Sequence, residues 1–156
     1  MRSPRKGFSL IEILIVVIIL AIIGAIVLAQ YTNVMAQANQ SNIRENLAKI
    51  RAQMQLYREQ HTGYPTAADF IAQMTQYTNG QGDVVAAKDA THPFGPYLER
   101  MPANPVTNFT TIRGSTGSFA APAANAGWWY NEDTGDFRAD LVDSLIDDHD
   151  TPYNRF

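Results

Sequence analysis

The stretch KGFSLIEILIVVIILAIIGAIVLA, residues 6–29, decides the fold of this chain. Residues 8–29 carry one charged side chain, that of Glu12, and no proline interrupts them. As an α-helix rising about 1.5 Å per residue, this run is about 33 Å long, close to the roughly 30 Å of a bilayer's hydrocarbon core. A helix also pairs every backbone polar group internally, as lipid requires. The run therefore predicts one transmembrane helix.

The charges on either side of this run predict its orientation in the membrane. Arg2, Arg5 and Lys6 precede the run without any acidic residue, and the next basic residue along the chain is Arg44. Because basic residues are retained on the cytoplasmic side of a membrane, we expect the N-terminus in the cytoplasm. The remainder of the chain is then expected outside the cytoplasm.

Two simpler interpretations of this segment leave Glu12 unexplained. A cleavable secretory signal ending after Ala29 would usually have an apolar region of only about 7 to 15 residues and no carboxylate. A plain signal anchor gives the acid no role, although a charge deep in a span costs about 2.5 to 3.5 kcal/mol. Cleavage after Gly7 would place a new α-amine on Phe8, one helical turn before Glu12 and on the same face. The carboxylate then has an ammonium to neutralise, in its own chain or in a neighbour.

The segment Lys6-Gly7-Phe8-Ser9-Leu10-Ile11-Glu12 resembles the prepilin processing motif of type IV pilins and type II secretion pseudopilins. The resemblance implies that a membrane prepilin peptidase cuts after Gly7 and methylates the new N-terminal Phe8. It also implies that Glu12 aligns a subunit with its neighbour during filament assembly.

The helix is expected to continue well beyond the membrane, because no proline occurs between Pro4 and Pro65. Past the span, apolar side chains recur at alternating steps of four and three, which predicts one buried helix face. These side chains are Ile43, Leu47, Ile50, Met54 and Tyr57. Such a stripe favours packing under a small globular head over a coiled-coil seam, for which it is short.

The remaining sequence predicts a head of α+β class. Thr66 and Asp69 have the spacing of a capping box that opens a short helix. Residues 108–113 alternate as a strand does, and residues 132–135 have the composition of a hairpin turn. We therefore expect a short helix and an antiparallel β-sheet. The predicted parts are a basic leader (1–7), a transmembrane helix (8–29), its amphipathic continuation (30–62) and a globular head with an acidic tail (63–156).

The resemblance extends in part into the head. Residues 63–66 (GYPT) and 95–105 (GPYLERMPANP) are similar to the G-type major pseudopilins of type II secretion, and the chain, like them, has no cysteine. Beyond Pro105 the similarity fades, because Val106-Thr107 stands where a Trp-Gly dipeptide is expected. The resemblance implies a structural subunit of the secretion pseudopilus, in the bacterial inner membrane with a periplasmic head. A type IV pilin serving adhesion, motility or DNA uptake is the alternative.

The resemblance also implies partners, and composition excludes others. Implied partners are further copies of the chain, the prepilin peptidase, minor pseudopilins, the inner-membrane assembly platform and membrane lipid. A formal charge of -3 argues against nucleic acid as a partner, since phosphate binding needs a basic face. The three histidines stand far apart without a catalytic motif, so we expect no enzyme activity.

The acidic tail is a candidate calcium site. Hard cations prefer carboxylate ligands, and the resemblance implies calcium in a C-terminal loop. The candidate ligands are Asp140, Asp143, Asp147, Asp148 and Asp150. A solvated acidic tail is the alternative, since no calcium-loop spacing is matched. We expect no required cofactor.

Two further surfaces are candidates for binding. Trp128 and Trp129 would form a platform for glycans in a membrane-anchored or secreted binding module, or else one indole packs inward. Arg44 and Arg51 on the helix would meet the acidic tail of a staggered neighbour and set the register between subunits.

Overall fold

The computed structural model describes residues 7–119, 122–123, 125–147 and 150–156, and for residues 29, 32 and 33 it describes the backbone alone. One helix, α1, runs from Leu10 to Gln60, close to the predicted bounds of 8 and 62. The chain divides into two compact units, and the boundary along the sequence lies between Ala38 and Asn39. α1 therefore supplies the described helix of the first unit and the first element of the second.

The first unit contains the apolar part of α1. Residues Leu10–Leu28 are long and apolar enough to cross a membrane, and none of this segment is buried within the chain. Its leucine, isoleucine and valine side chains are at least half exposed on every face of the helix. Such a surface needs lipid or other apolar helices to cover it, which agrees with the transmembrane helix predicted from the sequence.

The second unit is a head built on the C-terminal half of α1. All five side chains of the predicted stripe are buried, which confirms that this face packs into the head. They join one core cluster with residues from every layer of the head, including Phe70, Met74, Trp128, Tyr130 and Phe137. This core fixes the head to the helix.

The remaining elements are short. A second helix, α2, spans Phe70–Thr75. Strands β1 (Tyr77–Thr78) and β2 (Val84–Val85) pair antiparallel. Strands β3 (Ile112–Ser115), β4 (Trp128–Asn131) and β5 (Asp136–Ala139) form a three-stranded sheet in that order, and a 3₁₀ turn follows at Tyr153–Arg155. The fold is α+β, as expected.

The three-stranded sheet is mixed, whereas an antiparallel one was expected. The predicted hairpin is present, because β4 and β5 pair antiparallel with Trp128 opposite Ala139. β3, however, runs parallel to β4 with Ile112 opposite Trp128. Parallel neighbours need a crossover connection of about a dozen residues, and the Gly-, Ser- and Ala-rich segment 116–127 provides it.

Two elements begin later than the sequence predicts. In both cases a side chain makes a hydrogen bond that competes with the predicted one. β3 begins at Ile112 and not at residue 108, because Asn104 accepts the Val106 N–H and donates to Gly127 O, which holds 104–109 in a turn. α2 begins at Phe70 without a reciprocal capping box. One half of the predicted box forms, since the Asp69 N–H donates to Thr66 Oγ1 at 3.3 Å. The other half does not, because the Thr66 backbone N–H donates to Gln73 Oε1 at 2.8 Å instead of to Asp69.

Candidate functional site

The predicted processing site lies at an open, non-helical segment. Gly7 and Phe8 precede α1, and the Phe8 side chain is 83% exposed. A peptide bond in this position is accessible to a peptidase, since no helical hydrogen bond has to be broken first. The leader residues 1–6, with their basic side chains, lie outside the described residues.

Glu12 lies in the first turn of α1 and has a specific partner there. Its Oε2 accepts the Ser9 backbone N–H at 2.7 Å, while Ser9 O accepts the N–H groups of Glu12 and Ile13. The pattern Ser-x-x-Glu makes half of a capping box, and the carboxylate lies at the positive end of the helix dipole. The spacing of Ser9 and Glu12 in the sequence could have indicated this contact, whereas the sequence-based prediction gave Glu12 only the amine of Phe8 as a partner.

The described carboxylates of the acidic tail do not gather at one point. Asp140 is buried and pairs with Arg113, whose Nη2 and Nε lie 2.6 and 3.0 Å from its two oxygens. This hydrogen bond raises the pKa of Arg113 above its ordinary value. Asp147 is also buried and accepts from Arg44 Nη2 at 2.6 Å and from the Thr151 N–H at 2.8 Å.

The other candidate ligands are equally separate. Asp143 accepts from Asn154 Nδ2 at 2.7 Å, and Asp150 occupies a left-handed backbone position with φ 57°. Asp148 lies outside the described residues. Among the residues that the structure describes, no group of three or more acidic or histidine side chains is placed to hold a metal ion. Calcium binding by the tail stays a prediction.

Both stem arginines contact the head of their own chain, and one of them, Arg44, meets a tail acid there. Arg44 pairs with Asp147, and its guanidinium lies 4.3 Å from the centre of the Phe156 ring. Arg51 donates to Phe137 O at 2.7 Å and also to Phe156 O. Burial lowers the pKa of Arg51, and Asp136 opposes that shift. Arg44 and Arg51 thus hold the tail of their own head, while the Arg44 side chain stays 49% exposed. Their role in the register between subunits stays a prediction.

The tryptophan pair does not form an exposed platform. Trp128 and Trp129 are 0% and 1% exposed. Trp128 donates from Nε1 to Pro102 O at 2.9 Å, and Trp129 packs edge-on against Phe119 at 5.4 Å between ring centres. The prediction that glycans stack on this pair is therefore wrong. Both indoles pack inward, because β4 is buried on both faces.

The described histidines have structural partners. His61 stacks on Tyr57 at 3.8 Å, with Nδ1 at 2.8 Å from Tyr57 O and Nε2 at 3.0 Å from Thr78 Oγ1. The carbonyl requires a donor, so Nδ1 carries a proton. His92 Nδ1 lies 2.9 Å from Asp89 Oδ1, and hydrogen bonds from His92 and Thr91 hold the pKa of Asp89 well below its usual range.

Comparison with known proteins gives one family match and several relatives. Residues 2–28 match the family described as prokaryotic N-terminal methylation motif. The chain is 36% identical over 67 residues to the type IV narrow pilus major component PilA5 of Thermus thermophilus, covering 43% of this chain and 58% of that protein.

Two further relatives align over more of the chain. Type II secretion system core protein G of Pseudomonas aeruginosa is 28% identical over 108 residues, covering 69% of this chain and 72% of that protein. Core protein G of Klebsiella pneumoniae is 21% identical over 101 residues, covering 65% and 69%. No solved structure matches.

Proposed function

We infer that this chain, which belongs to the family of type IV pilins and type II secretion pseudopilins, is a structural subunit of a membrane-rooted helical filament. The observation that carries this inference is the prepilin motif at Gly7, Phe8 and Glu12, joined to an apolar helix that no described part of the chain covers. Lipid and the same segment of other copies both have matching chemistry. A head-to-tail contact that does not close produces a filament.

We propose specifically that the filament is the pseudopilus of a type II secretion system. Similarity to core protein G extends over 108 residues and so includes much of the head, whereas the similarity to PilA5 covers 67 residues. The alternative, a type IV pilin, is favoured by the higher sequence identity of the match to PilA5. Deleting the gene distinguishes them: loss of protein secretion with surface pili retained supports the pseudopilus, and the reverse supports the pilus.

The proposed subunit acts mechanically and not as an enzyme. It is inserted once in the inner membrane, with its N-terminus in the cytoplasm and its head in the periplasm. The prepilin peptidase processes it, and the assembly platform and minor pseudopilins receive it. In the growing filament it exchanges lipid for the apolar helices of its neighbours.

In this proposal Glu12 gives the apolar helices their register. A carboxylate within lipid is costly, and pairing it with the α-amine of Phe8 in the adjacent subunit offsets that cost. The Ser9 N–H holds the carboxylate in the isolated chain at 2.7 Å. During assembly, an ion pair to a neighbouring subunit therefore replaces this local hydrogen bond or is added to it.

The mature N-terminus tests the processing step directly. Mass spectrometry of the protein isolated from its membrane is expected to find methylated Phe8 as the first residue. A protein that starts at Gln30 would have lost an ordinary secretory signal, and one that retains Met1 would be a simple anchor. Either result would overturn the filament proposal.

Substitution of Glu12 tests the assembly step. Glu12→Gln keeps an acceptor for the Ser9 N–H and removes only the charge, so insertion and processing should be unchanged. Filament yield after shearing and sedimentation should fall at least about tenfold, the loss of about 1.4 kcal/mol. Glu45→Gln, the same change at an exposed position of α1, is the matched control. Equal yields from both variants would remove Glu12 from assembly.

A further inference from the structure

A polar cleft of about 660 Å³ lies on the head. It is bounded by the loop that follows β3, by the β4–β5 hairpin and by the C-terminal tail. Its lining includes Phe119, Trp129, Arg138, Asp143 and Asn154. None of these side chains belongs to the prepilin motif, so the cleft is independent of the proposed function.

Two buried polar atoms of the lining lack a hydrogen-bond partner within the part of the chain that the structure describes. They are the indole Nε1 of Trp129 and the amide Oδ1 of Asn154, in residues that are 1% and 2% exposed. The amide orientation of Asn154 is fixed, because Nδ2 donates to Leu141 O at 2.8 Å and to Asp143 Oδ1 at 2.7 Å. Two residues that line the cleft thus carry one unused donor and one unused acceptor, both buried. Unpaired buried polar groups are rare in folded proteins.

The charges in the cleft balance each other. Among the described lining residues, Arg138 pairs with Asp136 at 2.6 Å and Arg155 lies 4.0 Å from Asp143. Two cations and two anions leave no net charge for an ionic ligand to neutralise, and an unpaired charge is costly to desolvate. A neutral ligand fits this balance.

The apolar wall of the cleft is the side chain of a loop residue, Phe119. Phe119 is half buried, lies in a loop outside the sheet and contacts Trp129 edge-on. For a ligand to reach the buried indole N–H, the Phe119 side chain would have to rotate aside. A hydroxyl group both donates and accepts, so it matches the unused pair of atoms. The C–H face of a polyol matches an aromatic wall, as in pockets that combine apolar surface with a few placed polar groups.

We propose that this cleft binds a neutral polyol, the chemistry shared by a sugar ring and an open-chain sugar alcohol. One hydroxyl accepts from Trp129 Nε1–H, and a hydroxyl also donates to Asn154 Oδ1. Phe119 covers the ligand's apolar face. The site is a pocket beneath Phe119 and not a stacking surface on the two tryptophans.

Indole NMR of the ¹⁵N-labelled full chain, in micelles of a detergent without sugar, tests the proposal. Glucose and sorbitol are the probes. The Trp129 indole resonance should shift in a saturable manner, while that of Trp128 stays fixed because its N–H already donates to Pro102 O. A shift with glucose alone identifies the ligand as a sugar ring, and a shift with sorbitol alone identifies an open-chain polyol.

Calorimetry on two variants completes the test. Trp129→Phe keeps an aromatic ring and removes the donor, so affinity for the active probe should fall about tenfold, or about 1.4 kcal/mol. Phe119→Ala removes the wall from a loop outside the sheet and should weaken binding without unfolding the head, which keeps the test informative if the first variant misfolds. The proposal is overturned if neither probe shifts Trp129, if both indoles shift alike, or if both variants bind as the unaltered chain does.

Discussion

Truncation of Ile50 tests whether the head is held to α1 by the apolar stripe. Ile50 lies in the middle of the stripe and is fully buried in the core cluster. Leu56 lies less than two turns further along the same helix, yet its side chain is 45% exposed. Ile50→Ala and Leu56→Ala remove aliphatic groups of the same size, so burial is the main difference between them.

The structure sets the expected magnitude. Ile→Ala removes a methyl, a methylene and a further methyl group, each worth about 0.8 kcal/mol when buried, or about 2.4 kcal/mol together. The cavity left behind adds to this loss, so Ile50→Ala should lower the free energy of unfolding by about 3 to 4 kcal/mol. Ile50→Val should cost about 0.5 to 1.5 kcal/mol, and Leu56→Ala should stay within about 0.5 kcal/mol.

Thermal unfolding of the head, followed by tryptophan fluorescence, measures these differences. Trp128 belongs to the same cluster as Ile50, so its emission reports loss of the core. At about 4 °C for each kcal/mol, the midpoint for Ile50→Ala should fall by about 12 to 16 °C. Equal midpoints for Ile50→Ala and Leu56→Ala would refute the conclusion that this face of α1 is the floor of the head.

Three further predictions concern the head. Arg44→Gln should destabilise it by about 1 to 3 kcal/mol in urea unfolding, because buried Asp147 loses the cation 2.6 Å from its carboxylate. Gly135→Ala should destabilise it by at least about 1 kcal/mol, since φ is +72° and a Cβ would lie 2.3 Å from the Tyr64 ring. Burial raises the pKa of Tyr57 to about 12, so an unfolded tyrosine ionises first and stability should fall as pH rises from about 10 to about 12.

Each of these predictions has a control within the chain. Lys49→Gln removes a cation from an exposed position of α1 and should leave stability within about 0.5 kcal/mol. Gly80→Ala places a Cβ where no described atom lies within 4 Å and should be tolerated. Tyr57→Phe removes one ionisable group and should reduce the alkaline pH dependence, leaving the part that comes from Tyr97 and Tyr130, whose pKa values burial also raises. If a control variant changes stability as much as its test variant does, the explanation given for that test variant is contradicted.

The sequence alone determined the features that depend on residues close to one another along a single helix. The apolar run from Phe8 to Ala29 predicts a membrane span because composition and length suffice for that conclusion. The stripe from Ile43 to Tyr57 predicts a buried face because helix geometry fixes which residues share it. Its burial confirms the prediction. The prepilin motif is likewise a contiguous pattern, and the resemblance to pilins and pseudopilins follows from it.

Only the tertiary structure decided the contacts between distant segments. Arg44 lies 103 residues before Asp147, and nothing local distinguishes a pair within one chain from a pair between two subunits. The direction of β3 depends on which end of β4 the connecting loop returns to. Trp129 alternates outward along β4, yet Phe119 covers it from a loop that has no periodic pattern. Such contacts form only when the whole head packs, and their energy is gained only in the folded chain. A local sequence pattern therefore does not specify them.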